Sequence, residues 1–212
     1  MTYSVKELFY TLQGEGMNAG RAAVFCRFAG CNLWSGREED RRGAVCTFCD
    51  TDFVGTNGAG GGKHEDARSL AKAVRAAWRG ASDEARKLVV LTGGEPALQV
   101  DEPLIEALHG EGFSIAIETN GTKPLPAGID WVCVSPKAAS ELVITRGHEL
   151  KLVHPQLGVD PERFVDLSFE HFLLQPMDGP TKKEALDRCV AYCMAHPKWR
   201  LSLQTHKTIG IP

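Results

Sequence analysis

Apolar and polar residues follow one another along the chain in short blocks, which glycine and proline separate. Seven blocks are rich in β-branched and aromatic residues or alternate with a period of two, which predicts β-strands. These predicted strands cover residues 23–29, 87–92, 113–118, 131–135, 149–153, 172–175 and 199–204. Because helical blocks lie between several of them, the pattern favours an α/β fold with a mainly parallel sheet.

Three blocks have the 3.6-residue period of amphipathic helices. They are residues 65–79, residues 101–109 and a segment that begins at Thr181. Asp101 is a suitable N-cap for the second helix, and Glu184, three residues after Thr181, predicts a capping box for the third. Residues 161–167 predict one further helical turn.

Two connecting segments are polar or rich in glycine. Residues 32–45 contain six consecutive charged side chains, at positions 37–42, which is typical of a solvated face with a short surface helix. Residues 55–62 read GTNGAGGG and predict a linker or a mobile lid.

Polar or glycine-rich segments repeatedly follow the predicted strands. The carboxyl ends of parallel strands lie on one rim of a sheet or barrel, where ligands bind. Six segments are therefore expected to meet at one mouth, namely Cys31 and residues 93–95, 119–120, 135–137, 175–178 and 205–206.

Composition narrows the class of protein. A chain of 212 residues fits one domain over residues 1–212, and a net charge of −3 without a basic tract argues against nucleic acid as a partner. No segment has the pattern of a signal peptide or a membrane span. Seven cysteines are an odd number, which favours reduced thiols and a cytoplasmic location. Four of these cysteines lie in apolar patterns and are expected to be small buried side chains: Cys26, Cys133, Cys189 and Cys193.

The other three cysteines are the main candidates for chemistry. Fourteen residues separate Cys31 from Cys46, and two separate Cys46 from Cys49. Three thiolates can hold three corners of a zinc site, for which His64 is a candidate fourth ligand. They can equally hold a [4Fe–4S] cluster and leave one iron open for a small molecule.

Arg27 interrupts the apolar strand over residues 23–29. A guanidinium in such a position needs an anion, and the residues alone allow either a protein carboxylate or a ligand. Gln13 and Glu15 lie in a glycine-punctuated segment that could contact a polar ligand or be a plain turn.

The three-cysteine turn with Phe48, followed after the next strand by Gly-Gly-Glu-Pro at residues 93–96, resembles the radical S-adenosylmethionine (SAM) superfamily. The usual first gap of that superfamily has three residues instead of fourteen. Long first gaps occur among the 7-carboxy-7-deazaguanine synthases, which this chain resembles from end to end. The matching segments are residues 11–16, 27–33, 49–52, 92–96, 118–121, 135–137, 175–178 and 204–207.

The resemblance implies an incomplete (β/α)6 partial barrel with few helices, the cluster and active site at the carboxyl ends of the strands, and residues 32–45 as an insertion in the cluster loop. It also implies a lyase that converts 6-carboxy-5,6,7,8-tetrahydropterin to 7-carboxy-7-deazaguanine, with loss of ammonia by radical ring contraction, in queuosine biosynthesis. A 5′-deoxyadenosyl radical from SAM abstracts hydrogen in that family, so no side chain is assigned as catalytic.

The resemblance assigns ligands residue by residue. The implied ligands of the [4Fe–4S] cluster are Cys31, Cys46 and Cys49, and the implied Mg²⁺ ligand is Thr51. Asp52 is expected to be a hydrogen-bonded structural acid. The SAM residues are Phe48, Cys49, Asp50, Gly94, Glu95, Ser135, Pro136, Lys137, Gln175, Pro176, Met177 and Asp178. The pterin residues are Leu12, Gln13, Gly14, Arg27, Thr92, His206 and the terminal carboxylate of Pro212.

The implied partners are a flavodoxin-like electron donor and a second copy of the chain in a homodimer. Two alternatives stay open at this point. One is another small radical SAM enzyme of the activating-enzyme type, and the other is a zinc-binding module.

Overall fold

The computed structural model describes residues 1–81 and 87–212. In these residues nine strands form one sheet: β1 Tyr3–Leu12, β2 Ala22–Phe28, β3 Gly62–His64, β4 Leu88–Gly93, β5 Ser114–Thr119, β6 Trp131–Val134, β7 Arg146–His154, β8 Ser168–Pro176 and β9 Trp199–Leu201. The α-helices are α1 Ala67–Ala77, α2 Glu102–Gly110, α3 Lys182–Ala195 and α4 Thr205–Ile209. Short 3-10 helices in the described part of the chain cover Glu38–Gly43, Pro96–Leu98 and Pro161–Phe164.

The sheet is mainly parallel, as the sequence predicts. Its strand order is β3-β1-β2-β4-β5-β6-β7-β8-β9, and the seven strands from β2 to β9 other than β3 run parallel to one another. Strand β1 is antiparallel to both β2 and β3. Strand β1 is not predicted from the sequence, because a register shift between Val5 and Glu7 breaks the two-residue alternation there.

The two faces of strand β2 contact different parts of the molecule. On β2, Val24, Cys26 and Phe28 point outward into a core that helices α1 and α2 complete. Ala23 points inward and packs with Leu88 of β4 in a smaller apolar cluster. Arg27 follows Ala23 on the inward face nearer the carboxyl end of the strand. The inner face therefore changes from apolar to polar along the strands, which places the polar part at their carboxyl ends.

The three substantial helices lie where the sequence predicts them, with one wrong detail. Asp101 caps α2 through the backbone N–H of Leu104. The capping box predicted at Thr181 is wrong, since the Thr181 side chain makes no capping hydrogen bond. The Asp178 carboxylate, four residues before Lys182, instead forms an ion pair with that first residue of α3 at 2.9 Å.

The glycine-rich segment 55–62 is neither a linker nor a lid. The backbone N–H of Gly58 donates to the Lys6 carbonyl at 2.9 Å, and that of Leu8 donates to the Ala59 carbonyl at 2.8 Å. A Cβ at Gly58 would lie 2.7 Å from the Lys6 carbonyl oxygen. The glycines therefore let this segment lie directly against β1, and its end becomes β3.

The described residues also include the predicted surface helix, the four cysteines expected to be buried and the last predicted strand. The surface helix expected within 32–45 is the 3-10 helix Glu38–Gly43, and three of the four structural cysteines are buried while Cys193 is half-buried. The strand predicted over residues 199–204 is shorter than expected. Strand β9 ends at Leu201, and helix α4 begins at Thr205. None of the described helices has the length and apolar character required to cross a membrane.

Candidate active site

A cavity of about 360 Å³ lies at the carboxyl ends of the strands. Each of the six segments expected at one mouth contributes at least one residue to its walls. Strands β2 and β4 contribute Arg27 and Thr92, which are register neighbours on the parallel pair. The prediction that separate strand ends converge on one mouth is therefore confirmed.

The cavity collects nearly all of the residues that the sequence nominates as ligands. The nominated residues in its lining are Leu12, Gln13, Gly14, Arg27, Cys31, Cys46, Phe48, Cys49, Asp50, Thr51, Thr92, Gly94, Ser135, Lys137, Gln175, Pro176, Met177, Asp178, His206 and Pro212. Glu95 and Pro136 are not part of the lining.

Glu95 is fully buried and saturated by protein donors. Its carboxylate accepts from Thr119 Oγ1 at 2.6 Å, from the Asn120 N–H at 2.8 Å and from the Ala97 N–H at 2.9 Å. Burial raises the pKa of this carboxyl, against the effect of these hydrogen bonds. In this arrangement Glu95 joins the end of β4 to the end of β5 from behind the cavity wall.

The loop that carries Cys31 passes very close to the backbone of Gly94. A Cβ at Gly94 would overlap the Gly30 carbonyl oxygen, and the Glu95 N–H donates to that same oxygen at 2.9 Å. On the other side, Asn120 Nδ2 donates to Asn32 Oδ1 at 3.1 Å. Glycine at position 94 is thus what allows the cysteine loop to dock on the sheet.

All three candidate ligand cysteines are free thiols on the same cavity wall. A hydrogen bond between the side chains of Cys46 and Cys49 raises the pKa of Cys46 and lowers that of Cys49 to about 6. The structure describes no group of three or more His, Cys, Asp or Glu side chains that could hold a single metal ion. His64, the fourth ligand that a zinc site would need, lies on β3 and does not line the cavity. Three thiols without a fourth protein donor fit a [4Fe–4S] cluster with one open iron.

Lys137 lies behind the cysteine turn. Its ammonium donates to the carbonyl and hydroxyl oxygens of Ser135 at 2.8 and 2.7 Å and lies 5.8 Å from the centre of the Phe48 ring. Burial lowers the pKa of Lys137, against the attraction of the nearby thiols. A positive charge is therefore held next to the region that the cysteines border.

Arg27 has a protein carboxylate as its partner. Its Nε donates to Glu7 Oε1 at 2.6 Å, across the β1–β2 pair, and its guanidinium lies 5.7 Å from the Phe9 ring. The two terminal nitrogens make no hydrogen bond to any residue that the structure describes. Arg27 can thus pair with a protein carboxylate through Nε and bind a ligand through its terminal nitrogens at the same time. The sequence analysis missed Glu7 and Phe9 because both belong to the unpredicted strand β1.

A buried charge network forms the floor of the cavity. The Lys151 ammonium, 4% exposed, lies 2.5 Å from Glu15 Oε2 and 3.0 Å from Glu118 Oε2. Gln13 donates to the other oxygen of Glu118 at 2.8 Å, and Gln204 to that of Glu15 at 2.9 Å. Burial by itself would raise the pKa of Glu15, but Lys151 and these hydrogen bonds outweigh it and lower the pKa to about 2. The network thus holds the Glu15 carboxylate in its charged form under the site and fixes the position of Glu118.

The C-terminal segment closes one side of the cavity. Helix α4 lies against the loop after β1, where a Cβ at Gly14 would overlap the His206 ring. Thr11 Oγ1 donates to the Pro212 carbonyl oxygen at 3.0 Å. These contacts bring both nominated C-terminal residues next to the first strand.

Comparison with known proteins agrees with the chemistry that the residues of the cavity indicate. Residues 41–164 match the family model of the radical SAM superfamily. The 7-carboxy-7-deazaguanine synthase of Bordetella pertussis is 66% identical over 212 residues, which cover 100% of both chains. The chain belongs to the 7-carboxy-7-deazaguanine synthase family of radical SAM enzymes.

More distant relatives agree with this family. The synthase of Bacteroides thetaiotaomicron is 44% identical, again over 100% of both chains. The crystal structure of QueE from Escherichia coli superposes with a TM-score of 0.71 at 27% identity, covering 96% of this chain and 94% of that one. The expected family and the α/β radical SAM fold with few helices are therefore confirmed. Membership of the superfamily brings a [4Fe–4S] cluster and SAM as cofactors.

Proposed function

We propose that the chain converts 6-carboxy-5,6,7,8-tetrahydropterin to 7-carboxy-7-deazaguanine with loss of ammonia. The observation that carries the proposal is one cavity containing three free cysteines and the inward-pointing Arg27. The full-length match to synthases that are 60–66% identical supports the same reaction. When bound, the cluster and SAM supply the one-electron chemistry that starts the ring contraction by removing a hydrogen atom from the substrate.

The side chains next to the cysteine turn form the proposed SAM subsite. Phe48 offers a flat ring for the adenine, and Gly94 leaves backbone within reach because it has no side chain. Lys137 and Ser135 border the same wall, as do residues 175–178. In this assignment Glu95 and Pro136 act from outside the cavity by holding the wall in shape.

The proposed pterin subsite lies between Arg27 and the buried charge network. The free terminal nitrogens of Arg27 suit the substrate carboxylate, since a guanidinium binds a carboxylate through two parallel hydrogen bonds. Glu118, fixed by Gln13 and Lys151, is an acceptor for the amino and ring N–H groups of the pterin. Thr92 borders this region from β4, and Leu12, Gly14, His206 and Pro212 close it from the C-terminal side.

Assignments of the metal, the partners and the location complete the proposal. Thr51 lines the cavity and would bind Mg²⁺ through its hydroxyl, with substrate and water oxygens as the other ligands. We assign Asp52 a structural role instead, since it accepts from the Val54 N–H and pairs with Lys6 at 2.8 Å. We also propose a flavodoxin-like electron donor, a homodimer and a cytoplasmic location.

An anaerobic assay tests the function. The chain is reconstituted with iron and sulfide, given the pterin, SAM and a one-electron reductant, and the products are identified by mass spectrometry. We expect 7-carboxy-7-deazaguanine with SAM recovered unchanged. SAM cleavage without this product would reject the synthase reaction and favour an activating-enzyme type of radical SAM protein.

A Cys46→Ala variant is the control, because loss of one ligand should abolish turnover of the pterin and brown colour together. Metal analysis of the anaerobically purified protein adds a second readout. A colourless protein with one zinc per chain would contradict the cluster assignment.

A further inference from the structure

The insertion 32–45 folds around one tryptophan. Trp34 is 8% exposed, and its ring meets the ring of Phe53 edge-on at 5.6 Å and 88°. The indole N–H donates to the Arg37 carbonyl at 3.1 Å. Because Phe53 is 1% exposed and lies just beyond the cysteine turn, Trp34 anchors the insertion to a fixed part of the molecule.

Arg41 connects this anchored insertion to the turn between Cys46 and Cys49. It comes from the 3-10 helix Glu38–Gly43, and its guanidinium lies 4.1 Å from the centre of the Trp34 ring. Its Nη1 donates to the Thr47 carbonyl at 3.0 Å and to the Cys49 carbonyl at 3.1 Å. Its Nε lies 2.7 and 2.8 Å from the two carboxylate oxygens of Glu38.

We propose that Arg41 is a positioning residue for the cluster, which fixes the turn carrying two of the three ligand thiolates and keeps a positive charge beside them. The proposal concerns the cofactor that the superfamily shares, so it stands independently of the pterin reaction proposed above. It also gives a role to the long first cysteine gap, because only the insertion brings Arg41 to this place.

The shape of the guanidinium explains the choice of residue. A single nitrogen bridges two carbonyls of the turn while Nε holds Glu38 and the flat face covers Trp34. An ammonium has neither the planar face nor the fixed fork, so lysine can supply the charge but not all three contacts.

The charge is placed to affect the cluster. The Arg41 side chain is 27% exposed, whereas its partner Glu38 is 78% exposed and more strongly screened by water. A cation beside an iron–sulfur cluster stabilises the added electron and so raises the reduction potential, since net charge and nearby hydrogen bonding set that potential. Lys137 is another cation close to the two thiols, and it remains in every variant below.

Arg41→Gln and Arg41→Lys test the proposal, with Arg42→Gln as the matched control. Arg42 is the next residue of the same short helix, is exposed, and makes no ion pair or hydrogen bond with the residues that the structure describes. Each variant is reconstituted anaerobically and measured without pterin. The readouts are the rate of iron loss to a chelator and the midpoint potential from a redox titration followed by electron paramagnetic resonance.

We expect Arg41→Gln to lose iron about tenfold faster, as is common when a group that orients metal ligands is removed. Its midpoint potential should become more negative. Arg41→Lys should keep the wild-type potential but still lose iron faster, and Arg42→Gln should match the wild type in both readouts.

Two results would overturn the proposal. One is wild-type iron retention in Arg41→Lys, which would show that the fork and stacking contacts are unnecessary. The other is an unchanged potential in Arg41→Gln. If Arg41→Gln does not fold, the lysine variant decides, and a turnover assay plays no part in either outcome.

Discussion

The ammonium of Lys207, in the last helix, lies 2.6 Å from Oδ2 of Asp50, the residue that follows Cys49. The same ammonium lies 2.6 Å from Asp178 Oδ2, at the end of β8. One side chain therefore joins the C-terminal helix to two separate walls of the cavity. Because the Lys207 side chain is 29% exposed, we expect these pairs to close the site while contributing little to overall stability.

Replacing Lys207 with methionine should separate these two effects. We expect the free energy of unfolding to change by less than about 1 kcal/mol, as for other partly exposed ion pairs. The KM for SAM should rise about tenfold, because Asp50 and Asp178 border the proposed SAM subsite and lose their common partner.

Lys183→Met is the control for Lys207→Met. Among the residues that the structure describes, Lys183 pairs only with Asp187 on the outer surface of α3, at 2.8 Å. It should change neither the stability nor the KM beyond error. Steady-state kinetics and urea unfolding measure both quantities, and an unaltered KM in Lys207→Met would show that α4 does not close the site.

The sequence could predict the positions of the strand ends but not every side chain that meets there. Parallel strands place their carboxyl ends on one rim, so Cys31, Gly94 and Ser135 could be assigned to one mouth from local patterns. Lys151 lies in a predicted strand, yet its partners Glu15 and Glu118 are 136 and 33 positions away. Such pairings depend on the order of strands in the sheet, which no local period reveals.

The roles of Glu7 and Trp34 could not be predicted for different reasons. Glu7 faces Arg27 only because β1 pairs with β2, and a register shift hides β1 from the two-residue pattern. Trp34 lies in a segment whose charged residues predicted a solvated face. The charged helix is indeed on the surface, but its Arg41 turns back over the tryptophan. A single amphipathic side chain can thus join a polar surface segment to the interior.

Gly94→Ala tests the close approach of the cysteine loop to the sheet. The new Cβ would overlap the Gly30 carbonyl oxygen and contact Cys31, so the loop must move away. We expect at least about a tenfold loss of cluster occupancy or activity, as for other changes next to metal ligands.

The control for this variant is Gly110→Ala at the end of α2, where nothing lies within 4 Å of the added Cβ. Iron and sulfide analysis after reconstitution, with circular dichroism on the apoprotein, compares the two. Equal cluster content in both variants would mean that the loop can dock without glycine at position 94.

Arg27→Lys tests the proposed recognition of the substrate carboxylate. Lysine keeps the charge and can still pair with Glu7, but it lacks the two free terminal nitrogens of the guanidinium. We expect the KM for the pterin to rise by about 100-fold, equivalent to roughly 2.7 kcal/mol, with the affinity for SAM unchanged.

Glu7→Gln is the companion to Arg27→Lys. It leaves Arg27 intact but weakens the pair that orients it, so a smaller rise in KM is expected, about tenfold. Isothermal titration with SAM and steady-state kinetics with the pterin measure the two affinities separately. A pterin KM in Arg27→Lys equal to that of the wild type would remove Arg27 from the substrate site.

The pH dependence of stability should report the charge network around Lys151. The pKa of Glu15 falls from 4.5 to about 2 in the folded chain, so the folded state favours the ionised carboxylate. This contribution is complete above pH 4.5 and is lost as the pH falls towards 2, with a total of about 3 kcal/mol. Glu15→Gln should therefore flatten the stability profile between these pH values, whereas Glu184→Gln, at an exposed site on α3, should leave it unchanged. Urea unfolding at several pH values measures the profile, and equal slopes for the wild type and Glu15→Gln would show that Lys151 does not hold Glu15 in its ionised form.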